Sequence, residues 1–310
     1  EPEPVSFGVR PYIIQGAGTI FFAPQGSGKS YLLQSIALGV ASGGSPIWDV
    51  QVASPILYVN LERSPNEMLL RERALVRALG MQNKPTGVSY LNARGRSLNA
   101  VRNLVRDWTK RNEGGVIIDS ISRSQFGDLN ENQTGSTFVD FMHAVRARWW
   151  AAIGHTPRDN KGHLYGSTMY DAGADVMVKV SHDPQETKVG VSLDITKANS
   201  IGRFPNEYIS LEFDSPDQPI SRMERANTRS FPNLVLQKGQ SEEDRITSVL
   251  LDTDRSELSV GEIVDRTGMS YSNVSDRLKA SSQFELARKE GRKAIYRLVE
   301  RRFSGETSEK

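Results

Sequence analysis

The segment Phe21-Phe22-Ala23-Pro24-Gln25-Gly26-Ser27-Gly28-Lys29-Ser30 sets two glycines, a lysine and a hydroxyl at a spacing that suits phosphate. It follows the phosphate-loop pattern G-x-x-x-x-G-K-[ST], with Ala23 in place of the first glycine. Gly26 and Gly28 let the backbone approach a ligand without a Cβ clash. Lys29 would reach the β- and γ-phosphates of ATP, and the Ser30 hydroxyl would ligate Mg²⁺. The expected nucleotide contacts are Ala23, Pro24, Gln25, Gly26, Ser27, Gly28, Lys29, Ser30 and Tyr31. A Gly/Ser loop could hold a lysine by chance. The flanks argue otherwise: Gly18–Phe22 reads as a short buried strand and Tyr31–Val40 as an apolar helix. A strand, a glycine turn and a helix N-terminus together aim N–H groups and a helix dipole at phosphate.

Gly114-Gly115-Val116-Ile117-Ile118-Asp119-Ser120 is an apolar strand ending in a carboxylate. Downstream of a phosphate loop, Asp119 is the expected second support for Mg²⁺, acting with Ser30. Ile56-Leu57-Tyr58-Val59-Asn60-Leu61 is followed at once by Glu62, at the carboxyl end of another strand. Glu62 is either the group that orients or deprotonates the attacking water, or a surface acid at the start of a helix. His155 ends the strand Ala151–His155; it could sense a γ-phosphate, though a histidine there more often caps the strand. Two polar loops, Ser124–Thr137 and Pro157–Leu164, are substrate contacts or solvated loops; Arg158 and Lys161 in the second are the expected DNA contacts.

These residues need a scaffold, and the pattern supplies one. Strands are predicted at Gly18–Phe22, Pro55–Asn60, Val88–Leu91, Gly115–Asp119, Ala151–His155, Val176–Val180, Gly190–Lys197 and Tyr208–Phe213. Helices are predicted at Ser30–Ala41, Pro65–Leu79, Leu98–Arg111 and Ser136–Arg148. Alternation of the two indicates an α/β fold with a mainly parallel sheet, and the later strands an antiparallel extension. Residues 1–10 read as a loose lead-in, 214–240 as a linker rich in Pro, Ser, Asn and Gln, and 304–310 as a disordered tail. The 310 residues carry 39 Lys and Arg against 37 Asp and Glu, so only local clusters argue for a nucleic-acid partner. With no cysteine there are no disulfides or thiolate metal sites. No apolar stretch spans a membrane and no signal-peptide pattern is seen, so a cytoplasmic protein without a membrane partner is expected.

Residues 241–303 read as a small α+β domain. A helix at Asp244–Leu251 precedes a capped helix at Val260–Thr267, with Ser259 and Glu262 at capping-box spacing. Gly268 stops it, and Ser270–Lys279 follows as a third helix. Phe284–Ala287 and Ala294–Leu298 then flank a basic hairpin tip, Arg288–Lys293. The segment resembles a winged helix-turn-helix. Arg277, Arg288, Lys289, Arg292 and Lys293 would contact DNA phosphates, unless the domain docks protein instead.

Taken in order, A-x-x-x-x-G-K-S, YVNLE, GVIIDS, AIGHTPR, YGSTMYDAGADVMVKV and DITKANSIGR resemble the RecA-like P-loop ATPases. Within them the chain is similar to the plasmid and phage RepA-type hexameric helicases, relatives of the DnaB replicative helicases. The likeness covers about Pro11–Phe213, and residues 1–213 are the expected ATPase domain. It implies that Glu62 is the catalytic carboxylate and His155 the switch linking γ-phosphate to DNA-binding loops. It implies that Lys197 or Arg203 reaches a neighbour's nucleotide in a homo-oligomer, a hexamer in the family, although the usual K-x-R is here Lys197-Ala198-Asn199 with Arg203 beyond. The function implied is a Mg²⁺-dependent, ATP-driven motor on single- or double-stranded DNA. The alternative is a RecA-like ATP switch for recombination, loading or regulation that unwinds nothing.

Overall fold

The computed structural model describes residues 4–124, 127–157, 163–202, 204–226, 230–231, 233–234, 242–251, 257–267, 269–281, 283–291 and 293–299. Internal contacts divide the chain into units 1–230 and 231–310. Arg158, Lys161, Arg203 and Arg292 lie outside the described residues, as does 304–310.

The first unit is built on a nine-stranded sheet. Its strands are β3 (Gly18–Ala23), β5 (Ile56–Asn60), β6 (Val88–Asn92), β7 (Gly115–Asp119), β8 (Trp149–His155), β9 (Val176–Pro184), β10 (Lys188–Ala198), β11 (Glu207–Phe213) and β12 (Ile220–Arg225). They run in the order β12-β11-β10-β9-β3-β8-β7-β5-β6. From β9 to β6 all neighbours are parallel; β10, β11 and β12 extend the sheet antiparallel. Strand β12 occupies the middle of the segment read as a linker, because Ile220 and Met223 are buried in the same core as β11. The lead-in is also structured. Strands β1 (Phe7–Arg10), β2 (Ile13–Ile14) and β4 (Asp49–Val50) form a separate small sheet, closed by buried Val9, Tyr12 and Ile13.

Side chains alternate between two cores with the period of a strand. Phe21, Ala23, Ile56, Tyr58, Ile117, Ala151 and Ile153 face one core. Ile20, Phe22, Leu57, Val59, Val116, Ile118, Trp150 and Ala152 face the other. The first is covered by α1 (Lys29–Ser42) and α2 (Pro65–Ala78), the second by α3 (Arg102–Asn112), α4 (Asn132–Ala144) and the short α5 (Thr168–Gly173). Helix α1 is buried on nearly every side, which is why its sequence is apolar without a polar stripe. Helix α2 starts in a full capping box, Ser64 with Glu67, and carries Pro65 in its first turn.

Helix α4 lies four residues earlier than its sequence pattern suggests. The Val145 carbonyl accepts from Thr109 Oγ1 at 2.6 Å, and Arg146 turns to a φ of 51°, so the helix cannot run on to Arg148. Helix α5, absent from the periodicity, is capped by Ser167, which accepts from Met169 N.

In the second unit, α6 (Glu242–Leu251), α7 (Val260–Thr267) and α8 (Tyr271–Ala280) pack with β13 (Glu257–Ser259), β14 (Phe284–Glu290) and β15 (Lys293–Leu298). The sheet order is β13-β15-β14. Ile246, Leu250, Leu258, Ile263, Val274, Leu278 and Phe284 make a core of its own. Strand β13 lies before the capped helix, where the sequence showed no strand.

Gly115 sits where β7 crosses fully buried Trp149; a Cβ there would lie 2.3 Å from the indole ring. Gly115→Ala should therefore cost about 1–3 kcal/mol by overpacking. Denaturant unfolding measures this, and the loss should shrink in a Trp149→Phe background, where the ring is smaller.

Candidate functional site

The carboxyl ends of β3, β5, β7 and β8 lie side by side, so the turns that follow them converge. Asp119 stands two residues after Ile117 and His155 two after Ile153, which puts both on the α1 side of the sheet. Gly28, at a φ of 80°, is the left-handed residue at which the loop turns into α1; a Cβ there would also approach Leu211 to 2.7 Å. Between these turns lies a cleft of about 1010 Å³. Its lining includes Gln25–Tyr31, Glu62, Asp119 and His155, bringing together most of the residues expected to do chemistry.

Lys29 is buried, with its ammonium folded back onto its own loop. It donates to the carbonyls of Ala23 at 2.9 Å and Pro24 at 2.6 Å. Burial lowers its pKa to about 8, against the pull of Asp119 and Glu62. Ser27 shares a 3.1 Å hydrogen bond with His182 on β9, whose own pKa is lowered by burial and then by Lys29. Asp119 is buried, which raises its pKa; hydrogen bonds from Tyr58 and Ser30 oppose that. The Tyr58 hydroxyl donates to Asp119 Oδ2 at 2.7 Å.

Glu62 is held on two sides. Ser120 Oγ donates a short hydrogen bond to Oε1, and His155 Nε2 lies 3.6 Å from the same oxygen. These partners, His155 foremost, bring its pKa down to about 2. The turn carrying Glu62 is built by Asn60, which is fully buried. Asn60 Oδ1 accepts from the N–H groups of Glu62 at 3.3 Å and Arg63 at 2.9 Å, and Nδ2 donates to the Arg63 carbonyl at 2.8 Å. Sequence reasoning passed over Asn60, although a polar, poorly strand-forming residue closing an apolar strand was a signal. It also passed over Arg71, which lies in the cleft with its guanidinium 4.3 Å from the Tyr31 ring centre, and over Phe213, edge-on to Tyr31.

The donors suit a hard cation shared with phosphate. Ser30 and Asp119 offer adjacent oxygens, and Mg²⁺ typically takes one or two carboxylates with phosphate oxygens and water. Among the described residues no group of three or more His, Cys, Asp or Glu could hold a metal alone. The buried Lys29 and the α1 N-terminus offer positive charge to the same place.

Lys197 is not a free cation here. Its Nζ donates to the carbonyls of Asp171 and Ala174, capping the C-terminus of α5. The first polar loop is tied to the segment that follows the second: Ser167 N donates to the Leu129 carbonyl at 2.7 Å, and Asn130 Nδ2 to Tyr165 Oη at 3.1 Å. In the second unit, Arg288 pairs with both Glu257 and Glu290, and Arg277 lies 3.9 Å from Glu243. Lys289 and Lys293 form no ion pair among the described residues. No helix among those residues is long and apolar enough to cross a membrane.

Comparison with known proteins adds one match. A family model described as an AAA domain matches residues 1–157 of the 310, a stretch that holds the loop, Glu62, Asp119 and His155. A search of curated proteins found no match.

Lys29 near pH 8 gives the site a proton signature. A phosphate beside the ammonium raises its pKa, so between the free and bound values nucleotide binding takes up a proton. Calorimetry in buffers of different ionisation heat should show uptake growing from about pH 7 to about pH 9. Lys29→Arg, which keeps the charge without titrating, should remove that growth.

Proposed function

Since this chain belongs to the AAA domain family of P-loop ATPases, we propose that it hydrolyses ATP with Mg²⁺ to drive a ring-forming motor on DNA, of the RepA and DnaB helicase type. The observation that carries this reading is the convergence of Lys29, Glu62, Asp119 and His155 on one cleft.

In this reading Lys29 turns from its loop carbonyls to the β- and γ-phosphates, and the loop N–H groups hold the rest of the triphosphate. Ser30 and Asp119 would hold Mg²⁺, which would supply positive charge to the phosphates. Tyr58 fixes one oxygen of Asp119 and leaves the other toward Ser30. Glu62 orients the attacking water. A carboxylate near pKa 2 is a weak base, so Glu62 gains basicity only when His155 and Ser120 let go of it. His155 is thus the group that ties the phosphate state to Glu62 and, through its carbonyl and Tyr165, to the first polar loop at Asn130. The trans-acting cation falls to Arg203, since Lys197 caps α5. A neighbour's cation at the transferring phosphate supports a homo-oligomer, most simply a hexamer.

The second unit fits a winged helix-turn-helix: three helices, a small sheet and a basic hairpin tip. It would lay α8 in the major groove and the tip on the backbone. Residues 1–230 then form the motor and the following unit the DNA-binding module.

Glu62→Gln should keep ATP affinity and lower kcat by roughly 10²–10⁴, with KM little changed. Lys29→Ala should lose both binding and turnover. A strand-displacement assay with ATP, run beside a native mass measurement, tests the motor itself. Hydrolysis and assembly on DNA without displacement would favour the switch reading.

The unequal pairing of the wing cations gives a separate test. Lys289→Ala with Lys293→Ala in the full chain should flatten the salt dependence of duplex binding by about one unit per phosphate lost. Arg288→Ala should change it less, because that guanidinium already serves two carboxylates.

A further inference from the structure

A second basic surface lies in the first unit, far along the sequence from the wing. Residues 94–111 hold six Lys and Arg, namely Arg94, Arg96, Arg102, Arg106, Lys110 and Arg111, against one acid, Asp107. All six cations are exposed. None forms an ion pair among the described residues, whereas Arg288 and Arg297 of the second unit each have carboxylate partners. The whole chain has an excess of only two positive charges, so this is a strongly local asymmetry.

Arg102, Arg106 and Lys110 follow each other at intervals of four on α3, which sets them on one side of the helix. Successive members are about 6 Å apart along the axis, so the three span about 12 Å, the rise of three to four nucleotides in one strand. Like charges four apart weaken an isolated helix. An ordinary solvated helix face mixes acids with bases and avoids that. The apolar side of α3, with Val105 and Trp108, is packed into the second core, so it is not free to enter a bilayer as the apolar face of a membrane-surface helix does.

The row begins at the functional edge of the sheet. Arg94 and Arg96 lie in the turn after β6, and β6 is hydrogen-bonded to β5, whose end carries Glu62. Ala93 N donates to the Asn60 carbonyl at 2.8 Å, and Asn60 Nδ2 donates to Asn92 Oδ1 at 2.9 Å. The basic turn and the turn of Glu62 thus share one buried asparagine.

We propose that the exposed face formed by Arg94, Arg96, Arg102, Arg106 and Lys110 binds the phosphodiester backbone of a nucleic-acid strand, read by charge and spacing without base contacts. This rests on the reading that the chain acts on nucleic acid and adds to it a surface in the ATPase unit.

The test uses the full chain and two labelled probes, a single-stranded oligonucleotide and a duplex of equal length, followed by anisotropy over a range of salt. Arg102→Ala/Arg106→Ala/Lys110→Ala should weaken binding to all sequences alike. It should lower the salt slope by about 2 units if the single strand is bound, or nearer 3 if the duplex is, and the probe whose slope falls by its own expected amount, while the other's is little changed, identifies the form bound. Arg102→Lys/Arg106→Lys/Lys110→Arg should retain the slope, and basal ATPase should be unchanged in both variants. Lys289→Ala/Lys293→Ala serves as comparator. If that wing variant loses slope while the α3 variant does not, the inference is overturned and the motor reading stands. If the wild type shows no salt-dependent binding to either probe, both fail. Loss of binding to anionic vesicles with nucleic-acid affinity intact would also overturn it.

Discussion

One buried cation organises the first unit. Lys29 is only 4% exposed, and it sits at the join of a buried strand and a buried helix. Its hydrogen bonds go to two carbonyls of its own loop, which accept them but carry no charge. The carboxylates that could balance it, Asp119 and Glu62, are themselves engaged by Tyr58, Ser30, Ser120 and His155. A buried charge with incomplete compensation is costly, and here the helix N-terminus adds to the same positive field. The cleft is therefore built to be completed by an anion, and a polyphosphate supplies one.

The second constraint is the tie between Glu62 and its neighbours. Its carboxylate is a weak base while His155 and Ser120 hold it, and its basicity rises only if those hydrogen bonds rearrange. Asn60 limits what can move: it fixes the backbone N–H groups of Glu62 and Arg63, leaving the side chain of Glu62 as the adjustable part. On the far side of His155, Tyr165 N donates to its carbonyl, and Tyr165 in turn meets Asn130. Side chain and backbone of one histidine thus touch both Glu62 and the segment at Tyr165 that meets the first polar loop.

Charge is distributed unevenly between the two basic regions. In the second unit carboxylates meet several of the arginines, which favours local structure as much as ligand contact. Exposed pairs of this kind contribute little to stability, about 0–1 kcal/mol each, and they compete with an incoming phosphate. Along α3 the cations form no ion pair among the described residues, and Asp107 is the one acid on the helix.

The sequence by itself determined the parallel strands, the phosphate loop and the strand-end acids, because each is a local pattern. Apolar runs of five or six residues in β3, β5 and β7 are legible because both faces of the sheet are buried. The loop is legible because Gly28 and Lys29 act through the backbone on which they sit. Short strands such as β1, β2 and β4 were not legible, since two to four residues carry too little periodicity to register. The strand inside the expected linker was hidden for another reason. Its burial of Ile220 and Met223 against β11 outweighs a Pro- and Ser-rich neighbourhood, and that contact is tertiary. Only the fold decided the state of each functional group. Sequence placed Glu62, His155 and Ser120 on three separate segments; strand order brought them within hydrogen-bond reach and so set the acidity of Glu62. The same holds for Lys197, whose charge suggested a reach outward and whose position on β10 instead lets it cap α5. A motif fixes which atoms are present, but a pKa and a hydrogen-bond partner depend on distances between segments, and those exist only once the sheet has formed.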